Sequence, residues 1–255
     1  MRRNLIVVRA GDKSLHPQWM NEKERNWDIV VSYYGNYPER YEGQYDLLHV
    51  FSGSKWEGVA DFFFANPGIE ANYDYIWLPD DDLFTTSKNI DLFFLLCKQL
   101  DLVIAQPALT KNSYYSWEIT LQKYNCLARL TNFVEVMAPC FKAESIAIFS
   151  KHFGENSSGW GYEWLWNYLC DVNGLNRQAI VDKTPVFHTR PIGVAGHGGA
   201  KLNPRIENSE LLKKFGIERY LPRVSRTIVD NPAVMARGKA LAFEVAAKLV
   251  HQRII

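Results

Sequence analysis

The sequence predicts an α/β sandwich with a mostly parallel central sheet, on three observations. Short apolar segments of strand length alternate with amphipathic segments of helical period over the first two-thirds of the chain, as in sheets whose strands are joined by crossover helices. The chain has 255 residues, 47% hydrophobic and 14% aromatic, ample for one large core. The apolar run Tyr73-Asp74-Tyr75-Ile76-Trp77-Leu78-Pro79 then ends abruptly at Asp80, Asp81 and Asp82. That is a buried strand delivering carboxylates at its carboxyl end, where open α/β sheets bind ligands.

In chain order, residues 4–8, 27–32, 47–51, 75–78 and 102–105 have the length and the β-branched or aromatic content of strands. Between them residues 56–65 and 89–100 read as helices, the second with Ser87 as its N-cap. Beyond 105 the pattern becomes mixed. Strands are expected at 114–122, 133–138, 179–181 and 185–189, a helix at 163–169, and a glycine-rich mobile loop over 193–203. A long helix rich in alanine and leucine follows over 233–251, its apolar face packing on the body or on a partner subunit of a homo-oligomer, with a membrane surface as the alternative. The whole reads as one domain, residues 1–255, with a core of about residues 1–195 and a C-terminal helical extension over 205–255.

Lys and Arg number 29 against 28 Asp and Glu, a net charge of +1 that gives no general pull toward nucleic acid or membrane. No run of 18 apolar residues occurs, and Leu5 to Val8 is too short for a signal-peptide core, so no transmembrane segment and a cytoplasmic location are expected. Cys97, Cys126, Cys140 and Cys170 are widely spaced among apolar neighbours with no Cys-x-x-Cys pair, which reads as buried reduced thiols.

Three adjacent carboxylates repel by roughly 1 kcal/mol per pair in water and more when partly buried, so an ordered pocket needs a cation, and a divalent metal is the simplest. At a strand end alternate side chains point the same way, which lets Asp80 and Asp82 face one ion while Asp81 points elsewhere or meets a sugar hydroxyl. The competing reading is a solvated turn closed by Asp side chains. In Gly159-Trp160-Gly161-Tyr162-Glu163 the glycines allow close backbone approach, Trp160 offers a flat face for a sugar ring, and Glu163 opens a helix. His197, in Gly196-His197-Gly198-Gly199, lies on the glycine-rich loop and either closes over a bound diphosphate or is unstructured.

Taken in order, Ser52-Gly53-Ser54-Lys55-Trp56-Glu57-Gly58, the strand ending in Asp80-x-Asp82, the Gly-Trp-Gly motif and a late strand ending in His188 resemble a GT-A type glycosyltransferase. More narrowly, the chain resembles a glycosyltransferase-like group of plants and bacteria filed as a domain of unknown function, over about residues 1–195. The resemblance implies a GT-A-like three-layer α/β/α sandwich with a central mostly parallel mixed sheet. It implies an enzyme that moves sugar from a nucleotide-sugar donor to a carbohydrate or other hydroxyl acceptor. It implies Mn²⁺ (or Mg²⁺) held by Asp80, Asp82 and His188, one imidazole beside carboxylates favouring Mn²⁺. Arg9 and Asp12, after the first strand, match positions that bind base and ribose, and Lys55 sits near ribose or diphosphate; the plainer reading of each is a surface charge at a loop or helix end. Glu163 matches the general base, although this chain has Glu163-Trp164 where a Glu-Asp pair is common.

Two rivals stand beside this reading. A haloacid-dehalogenase-type phosphatase also places Asp-x-Asp after a strand, but it wants Thr where this chain has Phe84. A catalytically silent carbohydrate-binding or scaffold protein would keep the fold and Trp77, Trp160 and Trp164 without a metal.

Overall fold

The computed structural model describes residues 3–22, 24–192 and 203–229. The expected loop over 193–203, with His197, and the expected helix over 233–251 lie outside the described residues, apart from Asn203.

Strand β1 (Asn4–Ala10) is buried along its whole length, and its side chains alternate between two cores. Ile6 and Val8 enter one cluster and Leu5 and Val7 the other, as a strand covered on both faces requires. After the short helix α1 (His16–Trp19), β2 (Trp27–Tyr33) pairs parallel with β1, and β3 (Leu47–Val50) forms the parallel edge beyond it. Helix α2 (Lys55–Ala65) begins with a complete capping box, Ser54 accepting from the Glu57 N–H and Glu57 from the Ser54 N–H. Strand β4 (Tyr75–Trp77) lies on the other side of β1, again parallel, and β5 (Leu83–Phe84) leaves the acid cluster.

Helix α3 (Ser87–Gln99) is capped by Thr86, whose Oγ1 accepts from Asn89 N–H at 3.3 Å, one residue before the expected Ser87. Its end delays the next strand. Asp101 adopts φ 51° and the Leu102 N–H turns back to the Cys97 carbonyl, so residues 102 and 103 still belong to the turn and β6 spans Ile104–Leu109.

The mixed half departs further from expectation. Residues 114–122 form turns and a 3-10 segment at Glu118–Thr120, because Thr120 N–H and hydroxyl both bond to the Trp117 carbonyl. Residues 133–138 form a loop, although it serves the sheet: Asp80 N–H bonds to the Met137 carbonyl, and Leu78 N–H to that of Pro139 just after it. Strands β7 (Cys126–Thr131) and β8 (Cys140–Lys142) were not anticipated, nor was helix α4 (Ile146–Ser150). Helix α5 (Tyr162–Val172) follows the Gly-Trp-Gly motif, and the two strands expected at 179–181 and 185–189 are one, β9 (Gln178–His188). Where a helical extension was expected after 205, the described part holds α6 (Pro204–Phe215) and an edge strand, β10 (Val224–Val229).

The sheet runs β10-β7-β9-β6-β8-β4-β1-β2-β3, with β5 paired to the end of β9. β1 to β4 are parallel, as are β6 and β9, while β7, β8 and β10 run antiparallel to their neighbours. Trp19, Phe93 and Phe94 of α1 and α3 cover one face; Trp56, Phe62, Phe149 and Trp166 of α2, α4 and α5 cover the other. The chain therefore has the GT-A-like three-layer α/β/α architecture with a mostly parallel mixed sheet. All four cysteines are free thiols, three of them buried. Among the described residues no helix is long and apolar enough to cross a membrane.

Candidate active site at the acid cluster

The carboxyl ends of β1, β4 and β9 meet beside the loop 133–138, where an isolated parallel bridge joins Arg9 to Asp80. Each carboxylate of the triple has its own partner. Asp80 Oδ1 accepts from Lys55 Nζ at 2.6 Å, and the same ammonium donates to the carbonyls of Val136 (2.7 Å) and Met137 (3.1 Å). Asp81 Oδ2 accepts from Gly11 N–H at 2.8 Å, and its Oδ1 accepts from Arg190 Nη1 at 3.0 Å. Asp82 Oδ2 faces His188 Nε2 at 3.2 Å. The mutual repulsion that suggested a metal is thus partly offset, by Lys55 at Asp80 and by Arg190 at Asp81.

Burial sets the ionisation of these groups. It pushes Asp81 up to about 6, against the Gly11 N–H and Arg190. Asp80 is raised by burial, opposed by Lys55, while Lys55 is lowered by burial, opposed by Asp80. Burial works to lower His188, but the Asp82 hydrogen bond and charge outweigh it and the net shift is upward.

The His188 ring is oriented by its other nitrogen. Nδ1 lies 2.8 Å from the Tyr114 carbonyl, which can only accept, so Nδ1 carries hydrogen and the Nε2 position points at Asp82. Two acceptors then face one another unless a proton or a cation lies between them. Asp82 Oδ1 is in addition buried with no hydrogen-bond partner. A carboxylate and an imidazole are donor types that a divalent ion accepts, and this pair fits two ligands of one. The expected third ligand does not join them: Asp80 is turned to Lys55, and among the described residues no group of three His, Cys, Asp or Glu is arranged to hold a metal.

Two cavities meet at this cluster and share Asp80, Asp82, Val136 and Ser158 in their walls. The first, about 250 Å³, is cationic, with Arg9, Lys55 and Arg190 around Tyr34. The Nη atoms of Arg9 hold strand ends together, donating to Ser32 Oγ and carbonyl, to Phe51 and to Gly53, while its buried Nε has no hydrogen-bond partner. Burial lowers it to about 10, and it lies 5.1 Å from the Tyr34 ring centroid. The guanidinium fits because position 58 is glycine; a Cβ there would stand 2.5 Å from Arg9 Cζ. Asp12 is drawn away from the cavity, accepting from the Tyr33 hydroxyl and from Asn36 N–H. Arg9 and Asp12 thus hold the framework of the compartment, and Lys55 and Tyr34 face its space.

The second cavity, about 350 Å³, holds the other acids. Glu163 is buried at the start of α5, its Oε2 accepting from Gly161 N–H at 3.2 Å. Burial raises it to about 7 against those backbone donors. Glu135 stands in the same wall, 4% exposed, with Oε2 unpartnered; burial and the Glu163 charge raise it to about 8. Trp160, 40% exposed, lines the cavity with Trp117 and Trp164. The glycines around Trp160 have structural causes. Gly159 has φ +77°, and a Cβ on it would lie 2.1 Å from Trp56 Nε1, so the Lys-Trp and Gly-Trp-Gly motifs dock through this contact. Gly161 has φ +100° and abuts Asn208 of α6.

Sequence reasoning missed Glu135 and Arg190. A lone carboxylate inside the apolar run Phe133-Val134-Glu135-Val136-Met137 was a legible signal for the first. Arg190 carried none, since its role follows from β9 ending beside Asp81.

Residues 21–131 match the family described as Protein of unknown function (DUF707). A search of the curated proteins gives no match. Among solved structures, the chain is similar to S. aureus TarS at 8% identity and TM-score 0.50, over 84% of this chain and 43% of that protein. It therefore spans less than half the length of that relative. S. aureus TarS 1–349 in complex with UDP-GlcNAc matches at 11% identity and TM-score 0.49, over 83% of this chain and 67% of the other. At such identities the likeness is one of fold.

Proposed function

We propose that this protein is a glycosyltransferase that moves a sugar from a nucleotide-diphosphate sugar to a hydroxyl acceptor. The observation that carries the reading is the placement of Glu163, a buried carboxyl held near 7, in a cavity that meets a cationic compartment at Asp80 and Asp82. Arg190 receives the diphosphate beside the positive charge of Lys55, whose three donors are held by Asp80, Val136 and Met137, and Tyr34 lies where base or ribose would pack. Glu163 takes the proton of the acceptor hydroxyl as that oxygen bonds to the anomeric carbon; the bond from sugar to diphosphate breaks and the nucleoside diphosphate leaves with its electron pair. Trp160 supports the sugar ring. Asp82 and His188 would hold a Mn²⁺ or Mg²⁺ ion, which when bound supplies charge stabilisation to the departing diphosphate.

Titration calorimetry of UDP, GDP and their sugars, with Mn²⁺ and then with EDTA, tests this. The expected result is metal-dependent binding of one nucleotide, lost in Asp82→Ala with the fold intact. Affinity equal with and without Mn²⁺ removes the metal from the proposal, and no nucleotide binding removes the donor. A second reading, a silent carbohydrate-binding protein of this fold, is favoured by the ammonium of Lys55 seated on Asp80, and predicts saccharide binding with no nucleotide binding.

A further inference from the structure

An open groove of about 780 Å³ runs between α6 and the Gly-Trp-Gly loop. It shares Trp160, Asn208 and Arg219 with the Glu163 cavity and no wall residue with the Lys55 compartment. On the proposed reaction it approaches from the acceptor side, because the donor diphosphate lies across Asp80 and Asp82.

The walls specify a ligand chemistry. Arg205, Lys213 and Arg219 supply three positive charges, no carboxylate lines the groove, and among the described residues none of the three has a carboxylate within ion-pair distance. Lys214, the next residue on α6, is by contrast paired to Glu155. Arg219 lies 4.9 Å from the Trp164 ring centroid, which holds its guanidinium at the junction with the cavity. Trp160, Leu212 and Ile217 add an apolar floor. At the junction stands Asn208, 8% exposed, whose Oδ1 is buried without a hydrogen-bond partner. An unpaired buried acceptor is costly, and a hydroxyl donor from a ligand would relieve it. Positive charge, an aromatic face and a waiting acceptor together fit a molecule that carries anionic groups, flat apolar ring faces and hydroxyls.

We infer that this groove binds an acidic saccharide as the acceptor, its anionic groups on Arg205, Lys213 and Arg219, a ring against Trp160 and a hydroxyl on Asn208, threading toward Glu163. The inference rests on the glycosyltransferase reading for the word acceptor, and on the groove alone for the ligand class.

The test is calorimetric binding of hexagalacturonate, phosphorylated maltohexaose and neutral maltohexaose to the full chain at low and high salt, in parallel with the nucleotide titrations. At least one acidic oligosaccharide is expected to bind on the order of tenfold more tightly than maltohexaose, to weaken with salt, and to lose about that factor in the Arg205→Glu, Lys213→Glu double variant. Both positions are exposed, so the variant should fold, and circular dichroism checks it. Preference for carboxylate over phosphate, or the reverse, identifies which acid the groove takes. Equal affinity for neutral and acidic chains, no binding of either, or indifference to the double variant overturns the inference. If acidic saccharide binds while no nucleotide does, the groove stands and the transferase reading falls; the opposite pattern does the reverse.

Discussion

The two cavities that meet at Asp80 and Asp82 are built on opposite principles. In the Lys55 compartment most charged atoms have partners: the Arg9 Nη atoms on Ser32, Phe51 and Gly53, Lys55 on Asp80 and two carbonyls, Asp81 on Gly11 and Arg190, with Arg9 Nε left without one. In the Glu163 cavity Glu135 Oε2 and Asn208 Oδ1 lack partners, as does Asp82 Oδ1 on the wall that the two cavities share. A buried polar group without a partner is a standing cost of about 1–3 kcal/mol, tolerated where a ligand or a reacting group completes it. On the proposed reaction the diphosphate would lie beside the mostly paired charges, and chemistry is expected beside the unpaired atoms.

If that division holds, substitutions on the two sides should separate stability from activity. The largest effect is expected from Glu163→Gln, which keeps shape and removes the base: turnover of the nucleotide sugar should fall by roughly 10²–10⁴-fold, with the denaturant midpoint unchanged or raised. Loss of activity matched by loss of stability would place Glu163 in the framework instead. Next, Arg9→Ala should cost about 3 kcal/mol in chemical denaturation, because it orphans three backbone acceptors, one near the end of β2 and two just after β3. An unfolding free energy within 0.5 kcal/mol of the parent's, about the size of ordinary surface changes, would show that water replaces the guanidinium without loss. Gly159→Ala lies on the seam between the motifs and should cost about 2–3 kcal/mol, from a left-handed backbone and a Cβ 2.1 Å from Trp56 Nε1. Near-parental stability with shifted Trp fluorescence would mean that Trp56 moves aside.

Legibility in the sequence followed the range of the interactions. The first half read well because parallel strands buried on both faces are continuous apolar runs, and because apolar positions recur at helical spacing over residues 56–65. The second half read poorly because β7, β8 and β10 are held by distant partners, and because the residue 133–138 segment looks like a strand but serves the site through its carbonyls. The same limit governed the acid cluster. Its position at a strand end was visible, whereas its neutralisation required Lys55 and Arg190 to converge from 25 residues upstream and 109 downstream.

A further effect on the Glu163 cavity depends on pH rather than on geometry. Glu135 is held near 8 and Glu163 near 7, chiefly by burial, whereas an unfolded glutamate titrates near 4.5. Between these values the folded chain holds protons that the unfolded chain releases, so their contribution is full below about pH 4.5 and is lost as pH rises through 7 and 8. Glu135→Gln keeps a neutral side chain at every pH and removes that loss. The variant is therefore expected to unfold at a higher denaturant concentration than the parent at pH 8.5 and to match it near pH 5. Equal gains at both pH values would attribute the effect to packing, whereas a gain confined to the alkaline side would show that the buried carboxyl of Glu135 is kept at the expense of stability.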